Sequence, residues 1–230
     1  MTGETQLQEI ERPPSLSDIA TEKLRAAICS GEFELGEALS EKKLAERLNI
    51  SKTPIRHALA QMKVEGLVEV FPQKGTFVFT LKGTHLDRFF EHRFILETAA
   101  LRLSYERNRE ALLATLEKIS QKMERSKKKE DRLEYLNLDV QYHQCFFDMC
   151  DNPYLAESSS LIEAKVSAIR NHLGKNRIQT TKSLEEHKEM IVLLRSGKVD
   201  ECIALLDFHI GRYHRTYNQT DGDTARTYLK

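Results

Sequence analysis

Four side chains in the second half of the chain have the types and spacing to hold a metal ion. Asp139 and His143 stand four residues apart in the helical stretch from Leu133 to Cys150, so both project from one face. His187 lies ten residues before Gly197, and His209 lies twelve residues after it. At 1.5 Å of rise per residue these are arms of roughly 15 and 18 Å along two antiparallel helices that turn at the glycine. The two imidazoles therefore reach nearly the same level of a hairpin. If both face the Asp139/His143 helix, three imidazoles and one carboxylate converge. That set suits a divalent transition metal, with a position left for water or a ligand. Each histidine taken alone is more readily a satisfied core or surface residue than a ligand, and spacing by itself does not overturn that reading. His85, His92, His172 and His214 lack this matching and read as structural or exposed, although His92 could border the cavity.

A different chemistry is gathered near the front of the chain, in KKLAERLNISKTPIRHAL over residues 42–59. Over residues 42–63, Lys42, Lys43, Arg47, Lys52, Arg56 and Lys63 are opposed only by Glu46, a local net charge of +5. The whole chain is formally neutral, and the rest of its first 80 residues is acidic. Positive charge confined to one small unit is what a phosphate-binding face needs.

The elements that must position these cations are two short helices. Leu44, Ala45 and Leu48 line one face of the first, Asn49 and Ile50 leave it, and Ser51 is suited to cap the second. Pro54 falls in the first turn, where a missing N–H costs little. Ile55, Ala58, Leu59 and Met62 continue as an apolar stripe, with Lys52, Thr53, Arg56 and Gln61 opposite. This is the pattern of a helix-turn-helix that offers the N-terminal end of its second helix to a DNA groove. An ordinary helical hairpin has the same periodicity; the concentrated charge favours DNA.

Length and composition fit this reading. A chain of 230 residues with 40% apolar and 30% charged residues can bury a core in one large or two modest domains. No apolar run is long enough to span a bilayer. The opening MTGETQLQEIERPP lacks the hydrophobic region of a secretory signal. Cys29, Cys145, Cys150 and Cys202 form no C-x-x-C pair, which argues for reduced thiols in a cytoplasm and against a cysteine metal site. The expected layout is a disordered segment over 1–15, a DNA-binding domain over 16–79, a linker over 80–85, a helical domain over 86–215 and a flexible tail over 216–230. Breaks near Asn108, Ser126–Asp131, Asp151-Asn152-Pro153, Gly174-Lys175-Asn176 and Ser196-Gly197 divide the helical domain into six or seven helices.

Longer motifs make the pattern family-specific. G31-E-F-E-L-G36-E-A-L39, L44-A45-E-R-L48-N-I-S51-K52-T53-P54-I55-R56-H57-A58-L59, E65-G66-L67-V68 and K74-G75-T76-F77-V78 resemble the winged helix-turn-helix of GntR-type bacterial transcription regulators. The resemblance implies a mainly α fold with a small β wing, Gly66 ending the recognition helix, and wing strands over Leu67–Val70 and Thr76–Phe79. It also implies DNA contacts from Lys42, Ser51, Lys52, Thr53, Arg56, Lys74 and Gly75. Two positions depart from the family. Lys52 stands where Arg is usual, and a lysine reads a guanine edge less rigidly than the arginine fork. His57 stands where Glu is usual.

The second half, with D139-x-x-x-H143, N152-P-Y-L155, E186-H187-K-E-M-I191, A204-L-L-D-F-H209-I210 and R93-F-I-L-E97, resembles the all-helical ligand-binding FCD domain of the FadR-type branch. That resemblance implies a divalent metal, Zn first with Ni or Mn as alternatives, on Asp139, His143, His187 and His209. It also implies a small organic acid as effector, with Arg93 as its carboxylate partner. Arg93 could instead pair with Glu97 one helical turn on. The expected protein is a homodimeric, cytoplasmic, effector-controlled repressor on a palindromic operator in double-stranded DNA. The alternatives are a metal-dependent hydrolase of a small acid, and a regulator whose second domain only dimerises.

Overall fold

The computed structural model describes residues 13–173 and 177–224, with residues 173, 177–180 and 213–224 as backbone alone. The expected N-terminal segment up to Arg12, the break at 174–176 and the last six residues of the expected tail lie outside the described residues.

The front of the chain is α1 (Leu16–Cys29), β1 (Ala38–Leu39), α2 (Glu41–Leu48), α3 (Lys52–Val64), β2 (Val68–Phe71) and β3 (Gly75–Val78). Ser15 and Asp18 close a capping box at the start of α1. Ser40 caps α2 by accepting from the Lys43 N–H at 3.4 Å. Asn49 ends α2 in the left-handed region at φ 53°, which an asparagine tolerates and which makes the tight break before α3. Ser51 occupies the N-cap position of α3, but its hydroxyl makes no capping bond. Gly66 follows the α3 cap at φ +69°, a conformation that favours glycine.

The wing is antiparallel, with Val68 opposite Val78 and Phe71 opposite Gly75. Each strand lies one residue from its expected span, because the turn over Pro72-Gln73-Lys74 tightens with Gln73 at φ 63°. The sheet has a third strand: β1 pairs with β3 and gives the order β1-β3-β2. Two residues carry no alternation to read, so β1 is invisible in the sequence.

The back of the chain is α4 (Thr84–Lys128), α5 (Arg132–Asp148), α6 (Pro153–Leu173), α7 (Arg177–Arg195) and α8 (Val199–Thr224). Helix α4 breaks at Asn108 (φ −138°, ψ 38°), so five helices comprise six helical stretches among the described residues. The break has a cause. Asn108 donates to the Met149 carbonyl at 2.8 Å, and Arg107 donates to the carbonyls of Cys150 and Asp151 at 2.8 Å each. The kink is where α4 grips the turn between α5 and α6. Helix α8 runs to Thr224, beyond Thr216 where apolar periodicity is lost.

Leu24, Ile28, Leu44, Ile55, Ala58, Leu59, Met62, Leu67 and Val78 are buried between α1, α2, α3 and the wing. Leu101, Leu112, Leu116, Tyr142, Phe146, Met190, Leu194, Cys202 and Leu206 fill the bundle. Both sets belong to one continuous apolar core, joined where α1 packs on α6. No described helix is long and apolar enough to cross a membrane.

Ile55 is completely buried at the centre of the first core. Ile55→Ala should cost about 2–5 kcal/mol, read as a lower urea midpoint with an unchanged slope.

Candidate nucleic-acid interface and buried histidine cluster

The apolar faces of α2 and α3 turn inward, which leaves their cations outside. Lys42, Ser51, Lys52, Thr53, Arg56, Lys74 and Gly75 are all exposed, on the start of α2, the start of α3 and the wing tip. His57 is exposed beside them. A Cβ built on Gly75, at φ +109°, would meet nothing within 4 Å, so the backbone at the wing tip stands open. The Ser51 hydroxyl, free of a capping role, is available to an outside acceptor. The local charge is lower than the sequence count, because acids beyond that segment fold onto it. The Arg56 Nε donates to Glu41 at 2.7 Å, and Arg47 pairs with Glu32. These pairs are exposed, so each is worth only about 0–1 kcal/mol and yields readily to a competing phosphate.

Among the described residues, Asp139, His143, His187 and His209 bring one ligand atom each to within 4.8 Å of one another, all buried. Helix α5 supplies Asp139 and His143, α7 supplies His187, and α8 supplies His209. The His143 Nε2 lies 3.2 Å from the His209 Nε2 and 3.3 Å from the His187 Nε2. The His187 Nε2 is 3.7 Å from Asp139 Oδ1.

Carboxylates set the tautomers. The Nδ1 of His143 lies 2.6 Å from Glu97 Oε2, and the Nδ1 of His209 lies 2.7 Å from Glu186 Oε2. A carboxylate only accepts, so each Nδ1 carries the proton and donates. Both Nε2 atoms then present lone pairs to each other at 3.2 Å with no proton between them. Burial, and next the Arg170 guanidinium, holds His143 well below the usual histidine range. Burial, reinforced for His187 by His209, brings both His187 and His209 down to about 3. The rings are therefore neutral near pH 7, and the lone pairs of His143 and His209 are placed where a cation could share them. The spacing agrees: two nitrogens each about 2.0–2.1 Å from a tetrahedral zinc stand roughly 3.3–3.4 Å apart.

Asp139 is wholly buried, which alone would raise its pKa; Arg170, with its Nε 3.1 Å from Oδ2, overrides this and holds the carboxyl well below the usual range. Oδ1 accepts from the Ser183 hydroxyl at 3.1 Å. His187 is held through packing. Tyr142 stacks on its ring at 4.0 Å and donates to its carbonyl at 2.9 Å, while its Nδ1 has no protein partner.

Arg93 is buried and makes the pair one turn along its own helix, its Nε donating to Glu97 at 2.6 Å. It also borders a cavity of about 40 Å³ with Val140, His143, Phe147, Ser167 and Arg170. By volume per water this is room for about three waters, or for one carboxylate group. His92 is exposed and does not border it. The carboxylates behind the histidines, and Arg170 and Ser183 around Asp139, escape a reading of spacing alone.

Both halves of the chain match known families. The FCD domain family matches residues 88–212, and the family described as bacterial regulatory proteins, gntR family, matches residues 16–78. The Nta operon transcriptional regulator of Aminobacter aminovorans is 29% identical over 184 residues, covering 80% of this chain and 86% of that protein. The gluconate operon transcriptional repressor of Bacillus subtilis is 30% identical over 133 residues, 58% of this chain and 54% of the repressor. The structure of E. coli McbR/YncC shares the fold with a TM-score of 0.74 at 21% identity, covering 90% of this chain and 99% of that one. These families and relatives regulate transcription and are not enzymes, which sets aside the metal-dependent hydrolase. With an FCD match over more than half its length behind a matched DNA-binding domain, the chain belongs to the GntR family of bacterial, DNA-binding transcription regulators that carry an FCD domain.

Proposed function

We propose that the chain is an effector-controlled repressor that binds a palindromic operator as a homodimer and senses a small carboxylate at a metal site. The observation that carries the sensing half is the pair of Nε2 lone pairs facing each other at 3.2 Å, each imidazole locked by a carboxylate. Asp139, His143, His187 and His209 would hold a divalent transition metal, zinc first and nickel or manganese as alternatives. When bound, such an ion supplies an open coordination position for a carboxylate oxygen. The rest is done by the chain. Glu97 and Glu186 orient the ligating rings. Arg170 and Arg93 border the cavity beside His143 and supply positive charge for the remainder of an acid. The gluconate operon repressor among the relatives is named for the operon of a small acid and supports both the effector class and the repressor role.

On DNA, the two recognition helices of a dimer would meet half-sites related by two-fold symmetry. Lys52, Thr53 and Arg56 would read or flank base edges, while Lys42, Ser51, Lys74 and the Gly75 backbone would hold phosphates and the groove rim. Glu41 holds Arg56 in the free protein and would release it to the duplex. A cytoplasmic location follows from work on DNA with reduced cysteines.

Two outcomes test the reading. Arg56→Ala should weaken binding to palindromic sites beside its own gene by about 5–150-fold, corresponding to 1–3 kcal/mol, with dimerisation and melting temperature retained. Fluorescence anisotropy measures the loss, and unchanged affinity would count against the assigned face. The purified protein should carry about one metal ion per chain by elemental analysis. His187→Ala with His209→Ala should abolish that content, and Glu97→Gln should weaken metal affinity by about 10–100-fold.

A further inference from the structure

Helix α6 touches both the histidine cluster and the DNA-binding domain through neighbouring side chains. Arg170, with 3% of its side chain exposed, faces inward to Asp139. Asn171 faces outward, and its amide donates to the carbonyl of Cys29, the last residue of α1, at 2.6 Å. The Cys29 thiol in turn donates to the Ala164 carbonyl of α6 at 3.5 Å. Arg132 at the start of α5 donates to the Asn171 carbonyl at 2.6 Å, so this end of α6 is tied on two sides. From Cys29 the path continues inside the DNA-binding domain. Arg25 of α1 grips Glu65, the residue that ends the recognition helix, with Nε at 3.0 Å and Nη2 at 2.6 Å. Beside these contacts lies a cleft of about 850 Å³, bordered by Arg25, Cys29, Glu65, Lys165 and Asn171, into which the two domains have room to shift.

The Asp139–Arg170 pair is where this path meets the cluster, and it is a poised contact. The two groups are 3.1 Å apart, yet neither Asp139 Oδ2 nor Arg170 Nε and Nη2 completes a hydrogen bond. A cation held by Asp139 and the histidines would share the charge that compensates Arg170. A buried guanidinium that loses part of its counter-charge must move or find another anion. Consecutive residues stand about 100° apart on a helix, so a rotation of α6 that re-seats Arg170 also moves Asn171.

We infer that Asn171 is a positioning residue through which the state of the Asp139–histidine cluster sets the placement of α1, and with it operator affinity. This rests on the reading of the cluster as a metal site. Lying between two sites is not coupling, so the test must measure coupling itself. The full-length protein is titrated with the palindromic duplex it selects, once with saturating Zn²⁺ and once with chelator. Zinc affinity is measured separately by competition with a chromophoric chelator. For the wild type, zinc should change the operator Kd by about tenfold, within the usual range of coupling between sites. Asn171→Ala should bind zinc within about twofold of wild type but show an operator response to zinc of less than about twofold. An Asn171→Ala protein that keeps the wild-type response overturns the inference, as does a wild-type protein that binds zinc with no change in operator Kd. A wild-type protein that binds none of Zn²⁺, Ni²⁺ and Mn²⁺ instead removes the metal reading, and this inference with it. Should Asn171→Ala fail to fold, Asn171→Ser gives the same two readouts and is judged by the same outcomes.

Discussion

Buried charge at the meeting point of five helices is the constraint on which the back half of the molecule depends. Arg93 and Glu97 come from α4, Asp139 and His143 from α5, Arg170 from α6, Ser183, Glu186 and His187 from α7, and His209 and Arg212 from α8. They form three linked groups: Arg93–Glu97–His143, Arg170–Asp139–Ser183 and Arg212–Glu186–His209. Stranding one member of a buried pair costs about 3–5 kcal/mol, a large part of a domain's net stability. A slide of α8 by one turn, about 5.4 Å, would strand His209 and Arg212 together. Apolar packing alone tolerates such slides far better, so these polar contacts select one arrangement of the helices.

The opposite rule governs the DNA-binding face. Its ion pairs, Arg56 with Glu41 and Arg47 with Glu32, are exposed and individually weak. Weakness suits a surface whose cations would change partners on DNA, as proposed above. A buried pair of the Arg170–Asp139 kind could not be given up to a phosphate without a large penalty, whereas Arg56 can leave Glu41 for a duplex at little cost. One chain thus keeps the charge pairs that are costly to break inside and those that are cheap to exchange outside.

The helix-turn-helix was legible because each of its devices is local. The stripe Ile55, Ala58, Leu59, Met62, the Asn49 break and the glycine after Glu65 all act within one or two turns. The Asn108 break could be placed from its residue type, although its cause, the grip on the turn after α5, is a long-range contact that spacing does not show. The convergence of Asp139, His143, His187 and His209 could be argued from a hairpin length because two helices leaving one turn share a common origin. Arg170, Glu186 and Ser183 could not be assigned in that way. Their partners come from other helices, and pairing across a bundle depends on rotations about helix axes that spacing does not encode. β1 was missed because its two residues are ordered by a neighbour rather than by their own pattern. Arg93 could be narrowed to two partners, and the intrahelical one is the contact it makes.

The short strand β1 has a mechanical result. Because β3 lies between β1 and β2, the hairpin that carries Lys74 is stitched to the segment entering α2 at Ala38 and Leu39. Ser40, one residue further, caps the helix that bears Lys42. A load on the wing tip is therefore passed to the first helix of the helix-turn-helix rather than absorbed by a loose flap. Duplexes of different groove width would then tilt wing and helix pair together as a single lever.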